Sequence, residues 1–230
     1  QYGLQRVDVQ TGRAGRRIAE ESGLPSSIVL SLAPQRGGVW VGTSRGLSFV
    51  SDSGGGAQGG LVEATVLENT AVRSLVRRRD TLWIATDAGV AVLTPNETRP
   101  RRLRASESSA RLGTAIGALA IADSVLAVGS MRGELHLIHT GDGRELPPPV
   151  QDVGRGGAVV AIAMDALSLW VAGVNGVTVI DRAMGTGRFL AAGTELPGEV
   201  TGVALARDYA WVATRDGVVR YRRMGDGSIR

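Results

Sequence analysis

The chain contains no cysteine, which excludes disulfides and thiolate-bound metals. Lysine is absent as well, so all 26 basic residues are arginine. Arginine makes planar, bidentate contacts that lysine does not, although GC-rich coding accounts for the bias more simply. Aromatic residues make up only 4% of the chain, and there are two histidines. No apolar run approaches the ~18 residues of a membrane-crossing helix. No signal-peptide pattern opens the sequence either, and the absence of an initiator Met is compatible with a leader removed on maturation. The net charge of +4 favours acidic partners only weakly.

What the chain has in excess is glycine, 33 of 230 residues, placed at a regular interval. Five segments align: VWVGTSRGLSFV, LWIATDAGVAVL, VLAVGSMRGELHLI, LWVAGVNGVTVI and AWVATRDGVVRY. Their large apolar position is Trp40, Trp83, Leu126, Trp170 and Trp211, spaced by 43, 43, 44 and 41 residues. The glycine that follows is Gly46, Gly89, Gly133, Gly176 and Gly217, and Gly3 stands 43 residues before Gly46. A period of 40–50 residues is the mark of propeller blades or a solenoid. Each segment reads as strand, two-residue turn, strand, and the turn closes on glycine because the favoured hairpin turns need positive φ.

Upstream of each segment lies another short apolar strand (IVLSLA, VRSLV, IGALAI, VVAIAM, VTGVAL), and downstream a more variable one (LVEATVL, RRLRA, LPPPV, RFLAA). We label the four strands of a repeat A to D. Strand A carries a small residue at one aligned position (Ser31, Ser74, Ala118, Ala161, Gly202), which suits a crowded axis, so A is expected innermost. Strand D is expected outermost, because Pro147, Pro148 and Pro149 are tolerated only at a sheet edge. The fold expected is an all-β propeller of about five four-stranded blades in a single domain, 1–230. Its repeats fall near 1–22, 28–68, 72–107, 115–153, 158–196 and 199–230. The N-terminal piece supplies only C-like (4–9) and D-like (16–21) strands, and the last repeat stops after C. In one solution 16–21 completes the last blade and closes the ring; in the other the chain is part of a larger propeller.

Trp40-Val41-Gly42-Thr43, Trp83-Ile84-Ala85-Thr86 and Trp211-Val212-Ala213-Thr214, each followed by glycine and an alternating strand, resemble the propeller repeats in the periplasmic sensor regions of hybrid two-component regulators. The copies at Leu126 and Trp170 depart, with Val128-Gly129-Ser130 and Ala172-Gly173-Val174. The resemblance spans nearly the whole chain. It implies a bacterial, periplasmic or otherwise extracytoplasmic setting and a ligand-sensing role.

The residues themselves argue against catalysis. The A strands hold no Asp or Glu for glycosidic acid–base work, and Arg73 is the one charged residue in their central stretch. Asp87 and Asp216 occupy B–C turns, where Asp is a routine residue. His136 and His139 are three apart in one strand, so they face opposite sides and do not share a metal. No P-loop, Gly-x-Ser-x-Gly or zinc pattern occurs, and the glycines at 54–56 and 59–60 read as a flexible C–D loop. No cofactor is expected. The four Trp residues, recurring at one place in successive blades, are assigned to blade cores in preference to a ligand cage.

Arginine is concentrated where A–B and C–D connections emerge: Arg13, Arg16 and Arg17; Arg77, Arg78 and Arg79; Arg99, Arg101 and Arg102. Such a face suits an acidic protein surface, a membrane-embedded complex or an anionic surface, while a solvated charged rim is the plainer explanation. Nucleic acid is disfavoured, because no exposed aromatics are interleaved for base stacking. The leading expectation is a non-catalytic interaction or scaffold module, an extracytoplasmic accessory subunit docking on a larger assembly. The alternatives are a ligand-sensing propeller of a two-component sensor and, third, a propeller hydrolase or lyase.

Overall fold

The computed structural model describes residues 3–52, 61–103, 115–148, 150, 153–224 and 229. Among them the regular structure is 21 strands with short 3-10 turns at Glu20–Ser22 and Val153–Gly156, and no helix is long and apolar enough to cross a membrane. The chain divides into two compact units, Gln1–Arg102 and Leu103–Arg230.

The first unit opens with a hairpin of β1 (Leu4–Val7) and β2 (Ala14–Ile18). Two four-stranded antiparallel sheets follow: β3 (Val29–Gln35), β4 (Gly38–Thr43), β5 (Gly46–Ser51) and β6 (Leu61–Val66), then β7 (Val72–Arg78), β8 (Thr81–Thr86), β9 (Gly89–Leu93) and β10 (Arg101–Arg102). The second unit has two more four-stranded sheets. These are β11 (Ile116–Ala122), β12 (Val125–Ser130), β13 (Leu135–His139) and β14 (Glu145–Leu146), then β15 (Val159–Met164), β16 (Ser168–Gly173), β17 (Gly176–Asp181) and β18 (Gly187–Ala191). A three-stranded sheet of β19 (Val200–Leu205), β20 (Tyr209–Thr214) and β21 (Gly217–Arg222) ends it. Strands run A–B–C–D across each full sheet, as propeller blades do. The glycine-rich loop at 54–60 lies outside the described residues.

The repeated Thr explains why the motif folds as it does. Thr43 Oγ1 donates to the Gly46 carbonyl at 2.9 Å and accepts from the Arg45 N–H at 3.2 Å. Thr86 makes the same pair of bonds with Gly89 and Ala88, and Thr214 donates to Gly217. One hydroxyl thus satisfies both backbone groups that a tight B–C turn strands. Gly46 and Gly217 adopt φ of 152° and 156°, closed to a side chain. Gly3, at 130°, identifies β1 as a C strand and β2 as its D strand.

A feature that the sequence did not announce recurs in every A strand. Register slips by one residue between Val29 and Ser31, Val72 and Ser74, Ile116 and Ala118, Val159 and Ala161, and Val200 and Gly202. Each slip is a bulge, with Leu30, Arg73, Gly117, Val160 or Thr201 as the extra residue. Bulges bend and twist a strand, and the bent A strands of successive sheets lie side by side: β3 with β7 in the first unit, β11 with β15 and β15 with β19 in the second.

Two expectations need correction. Closure of the last blade by the segment 16–21 is not detected among the described residues: Arg17 and Ile18 pair with β1, residues 20–22 turn into a 3-10 helix, and the sheet β19–β20–β21 shows three strands. Nor do the four Trp residues share one environment. Trp170 is 0% exposed and Trp83 is buried, Trp40 is half-buried, and Trp211 is 40% exposed. Trp170 packs onto the following sheet, against Val200, Ala210 and Val212, whereas Trp211 stands in β19–β20–β21, the last sheet of its unit.

In the second unit, arginines just past the C strands grip acidic A–B turns. Arg182 bonds Asp123 at 3.1 Å and the Asp165 carbonyl. Arg223, in the same repeat position, bonds the Asp165 carboxylate and the Ala206 carbonyl. Partial burial works against ionisation of Asp165, but the Ser168 N–H, Arg223 and the Leu167 N–H outweigh it and hold its carboxyl below the ordinary range. A folded pKa that is depressed gives stability that is complete at neutral pH and lost as pH falls below the ordinary carboxylate value toward the folded one. The gap in urea stability between the parent and Asp165→Asn is therefore expected to be widest near neutrality and to shrink below about pH 4. A gap that stays constant down to acid pH rejects this role for Asp165.

Candidate functional site

A concave feature among the described residues of the first unit lies at the A–B turn ends of its two full sheets. It is a cleft of about 250 Å³ whose apolar wall is Trp40, Leu82, Leu93 and Pro95, and whose polar rim includes Gln35, Arg77 and Glu97. Trp40 stands on β4, opposite Ala33 and Phe49. Its ring leans on Phe49, centroids 5.2 Å apart, and its indole N–H donates to Gln35 Oε1 at 2.9 Å. The ring is therefore held from two sides while remaining half-exposed.

The opposite rim comes from β7. Arg77 and Arg78 are its last residues, facing Leu82 and Thr81, and Arg79 takes a left-handed φ of 52° in the turn. Arg77 donates to Asp80 at 3.3 Å; its Nε and Nη1 of Arg78 are buried with no hydrogen-bond partner among the described residues. Glu97 closes the C–D turn. Its carboxylate accepts from the Thr94 N–H and hydroxyl at 3.0 and 2.9 Å and from Arg101 at 3.0 Å. The Thr94 backbone bond, then the hydroxyl, then Arg101 hold its carboxyl below the usual range. It serves as a fixed anion, whereas a general acid needs the opposite shift.

The expected arginine face is only partly assembled. Arg77 lines the cleft, Arg79 caps its A–B turn, Arg99 is exposed in the C–D connection, and Arg13 closes the turn between β1 and β2. Arg16 lies within β2. Arg17 sits opposite Gln5 and pairs with Glu21 at 2.9 Å. Arg102 sits opposite Ala91 and donates to the Ala88 carbonyl at 2.5 Å, in the B–C turn. Arg17 and Arg102 thus belong toward the opposite rim. A D strand leaves the C–D turn and runs back to the B–C end at about 3.3 Å per residue.

The other sequence candidates are accounted for separately. Arg73, a bulge residue, pairs with Asp87 at 2.9 Å. His136 is buried beside Glu145, Nδ1 to Oε1 2.7 Å, while His139 meets Asp142 at 2.8 Å. Each histidine has its own carboxylate, and no group of three metal-ligating side chains occurs among the described residues. Sequence reasoning missed the Trp40–Gln35–Glu97 arrangement. The available signal was a polar, bond-competent Gln ending strand A five residues before a Trp.

No protein-family model and no curated protein sequence matches the chain. Solved structures do. The extracellular domain assigned to the hybrid two-component system BT4673 of B. thetaiotaomicron superposes with a TM-score of 0.73 at 15% identity, over 96% of this chain and 30% of that one. PorZ, a bacterial surface component of the type-IX secretion system of Porphyromonas gingivalis, gives 0.67 at 12%, over 98% and 29%. A computationally designed protein, Ika8, gives 0.63 at 17%, over 88% and 60%. The chain spans about a third or less of the two natural proteins' lengths. At these identities the likeness establishes the fold, that of extracellular propeller domains.

Proposed function

We propose that the chain is an extracytoplasmic, non-catalytic propeller module of the sensor type, and that it takes a small ligand in the cleft between Trp40 and Arg77. The observation that carries this reading is the pairing, across one cleft, of a half-exposed ring locked by Gln35 with the guanidinium of Arg77. The ligand class follows from the walls: a compact molecule with an apolar face to lie on Trp40 and a carboxylate, carbonyl or hydroxyl to accept from Arg77. The likeness to an extracellular two-component-system domain supports the setting.

The test is a ligand screen by thermal shift and calorimetry on the parent, Trp40→Ala and Arg77→Ser. Both substitutions are expected to weaken a bound ligand by about tenfold or more, or ~1.4 kcal/mol. A ligand that binds all three proteins equally places its site elsewhere. The likeness to PorZ favours a second reading, a docking subunit of a surface assembly that engages a protein partner or anionic surface through Arg77, Arg78 and Arg79. In that case Trp40→Ala leaves partner capture intact, whereas raised salt abolishes it.

A further inference from the structure

We infer that the ligand of the Trp40–Arg77 cleft is a zwitterion of amino-acid size, with an apolar side chain on Trp40, a carboxylate on Arg77 and an ammonium on Glu97. This rests on the ligand-cleft reading above and narrows it from any small acceptor to one chemical class.

The charges on the rim set the class. Arg77, Asp80 and Glu97 all line the cleft, so both signs border the same apolar wall of Trp40, Leu82, Leu93 and Pro95. Two ion pairs hold them, Arg77 with Asp80 at 3.3 Å and Glu97 with Arg101 at 3.0 Å. The charges of these two pairs cancel, which leaves a cleft with two opposed ends and no dominant sign. A bare anion that reaches Arg77 shares the cleft with two carboxylates. A bare cation that reaches Glu97 shares it with a guanidinium. A molecule that carries both signs pairs at each end and escapes both repulsions.

The two carboxylates are not equivalent. The Asp80 side chain is 76% exposed, so water screens its charge. The Glu97 side chain is 29% exposed and accepts from the Thr94 N–H, the Thr94 hydroxyl and Arg101. An ionised carboxylate offers about four acceptor sites, which leaves Glu97 one for an ammonium N–H. Those bonds fix the side chain before a ligand arrives, so little ordering cost opposes binding. They also hold its carboxyl below the usual range, so it is a full anion at neutral pH. Arg77 gives Asp80 one hydrogen bond, from Nη2, and its planar fork matches the shape of a ligand carboxylate. At about 250 Å³ the cleft falls below the ~300–1,000 Å³ usual for drug-sized ligands, which suits a single amino acid.

The probe is L-leucine, compared with isocaproate, which lacks its ammonium, and isoamylamine, which lacks its carboxylate. Calorimetry on the parent chain at neutral pH and low salt is expected to show leucine binding about tenfold tighter than either analogue. Glu97→Gln keeps an acceptor for Thr94 and removes the charge. It should cancel the preference over isocaproate while leaving isocaproate affinity within about twofold. Arg77→Ser should cancel the preference over isoamylamine in the same way. Thermal melting checks that the C–D turn survives Glu97→Gln, and the comparison of the three probes on the parent needs no variant. The inference is overturned by equal or tighter parent binding of either analogue, or by a preference over isocaproate that survives Glu97→Gln. Absence of saturable leucine binding up to about 10 mM overturns it as well. Tighter isocaproate binding that Trp40→Ala abolishes would reject the zwitterion and uphold the cleft. Leucine binding that Trp40→Ala leaves untouched would instead place the site elsewhere and reject the cleft reading itself.

Discussion

Replacing Trp170 with alanine is expected to lower the stability of the unit Leu103–Arg230 by about 3–5 kcal/mol, the usual range for emptying a buried aromatic site. Trp170 has no exposed surface, its indole N–H donates to Ser168 Oγ at 3.2 Å, and its ring lies 6.1 Å from that of Tyr221. It fills the space between two sheets, packed with Val177, Leu190, Val200 and Val212. Alanine leaves a cavity there, because a bulged inner strand and a fixed turn at each end prevent the sheets from closing over it. Trp211 occupies the same repeat position but is 40% exposed, with the Arg220 guanidinium 5.6 Å from its centroid. Trp211→Ala should therefore cost about 1 kcal/mol, from lost partial burial and one cation–π contact. Urea titrations followed by far-ultraviolet dichroism compare the two directly. Equal losses would mean that the sheet interface does not depend on Trp170 packing.

That contrast marks how far the sequence could be read. Trp40, Trp83, Trp170 and Trp211 are spelled alike because local strand geometry is alike, and hairpin turns, glycine φ and the Thr hydroxyl bonds are settled within a dozen residues. Strand identity and order were legible for the same reason, including the N-terminal C–D pair. Burial of Trp170, by contrast, depends on the next sheet, which lies some 40 residues on in sequence. The arginines failed in part for a related reason: Arg17 and Arg102 are adjacent in sequence to a C–D turn, but the strand carries them to the other rim. The cleft at Trp40 needed three elements at once, β4 for the ring, the end of β3 for Gln35 and the C–D turn of the following sheet for Glu97. No single repeat contains that set.

The A-strand bulges lead to the second large effect, at a residue where alanine would ordinarily help. Gly→Ala in a compatible conformation stabilises by about 0.4–1 kcal/mol, through the unfolded chain's entropy. Gly117 is the extra residue of the β11 bulge, and β11 lies beside β15. A Cβ built on Gly117 lands on the Val159 carbonyl oxygen and comes within 3.0 Å of the Met131 sulfur. The sulfur can move, since it ends a flexible chain. The carbonyl cannot, because Val159 is paired to Gly173 in the adjacent sheet. Relief requires the two inner strands to part, which also disturbs the cluster of Ala118, Ala120 and Ile162 between them. Gly117→Ala is therefore expected to destabilise the second unit by about 3 kcal/mol, at the top of the range for overpacking. Gly202, one position further along the equivalent strand β19, is the control. The nearest atom to its added Cβ is Ala213 Cβ at 3.9 Å, an ordinary contact. Gly202→Ala should be neutral or stabilise by up to about 1 kcal/mol. If both alanines behave alike in urea unfolding, the close approach of β11 and β15 is not a constraint on the fold. Opposite signs would locate the tightest backbone contact of the unit at the bulge and explain why one copy of the repeat carries glycine where others carry Leu30, Arg73, Val160 and Thr201.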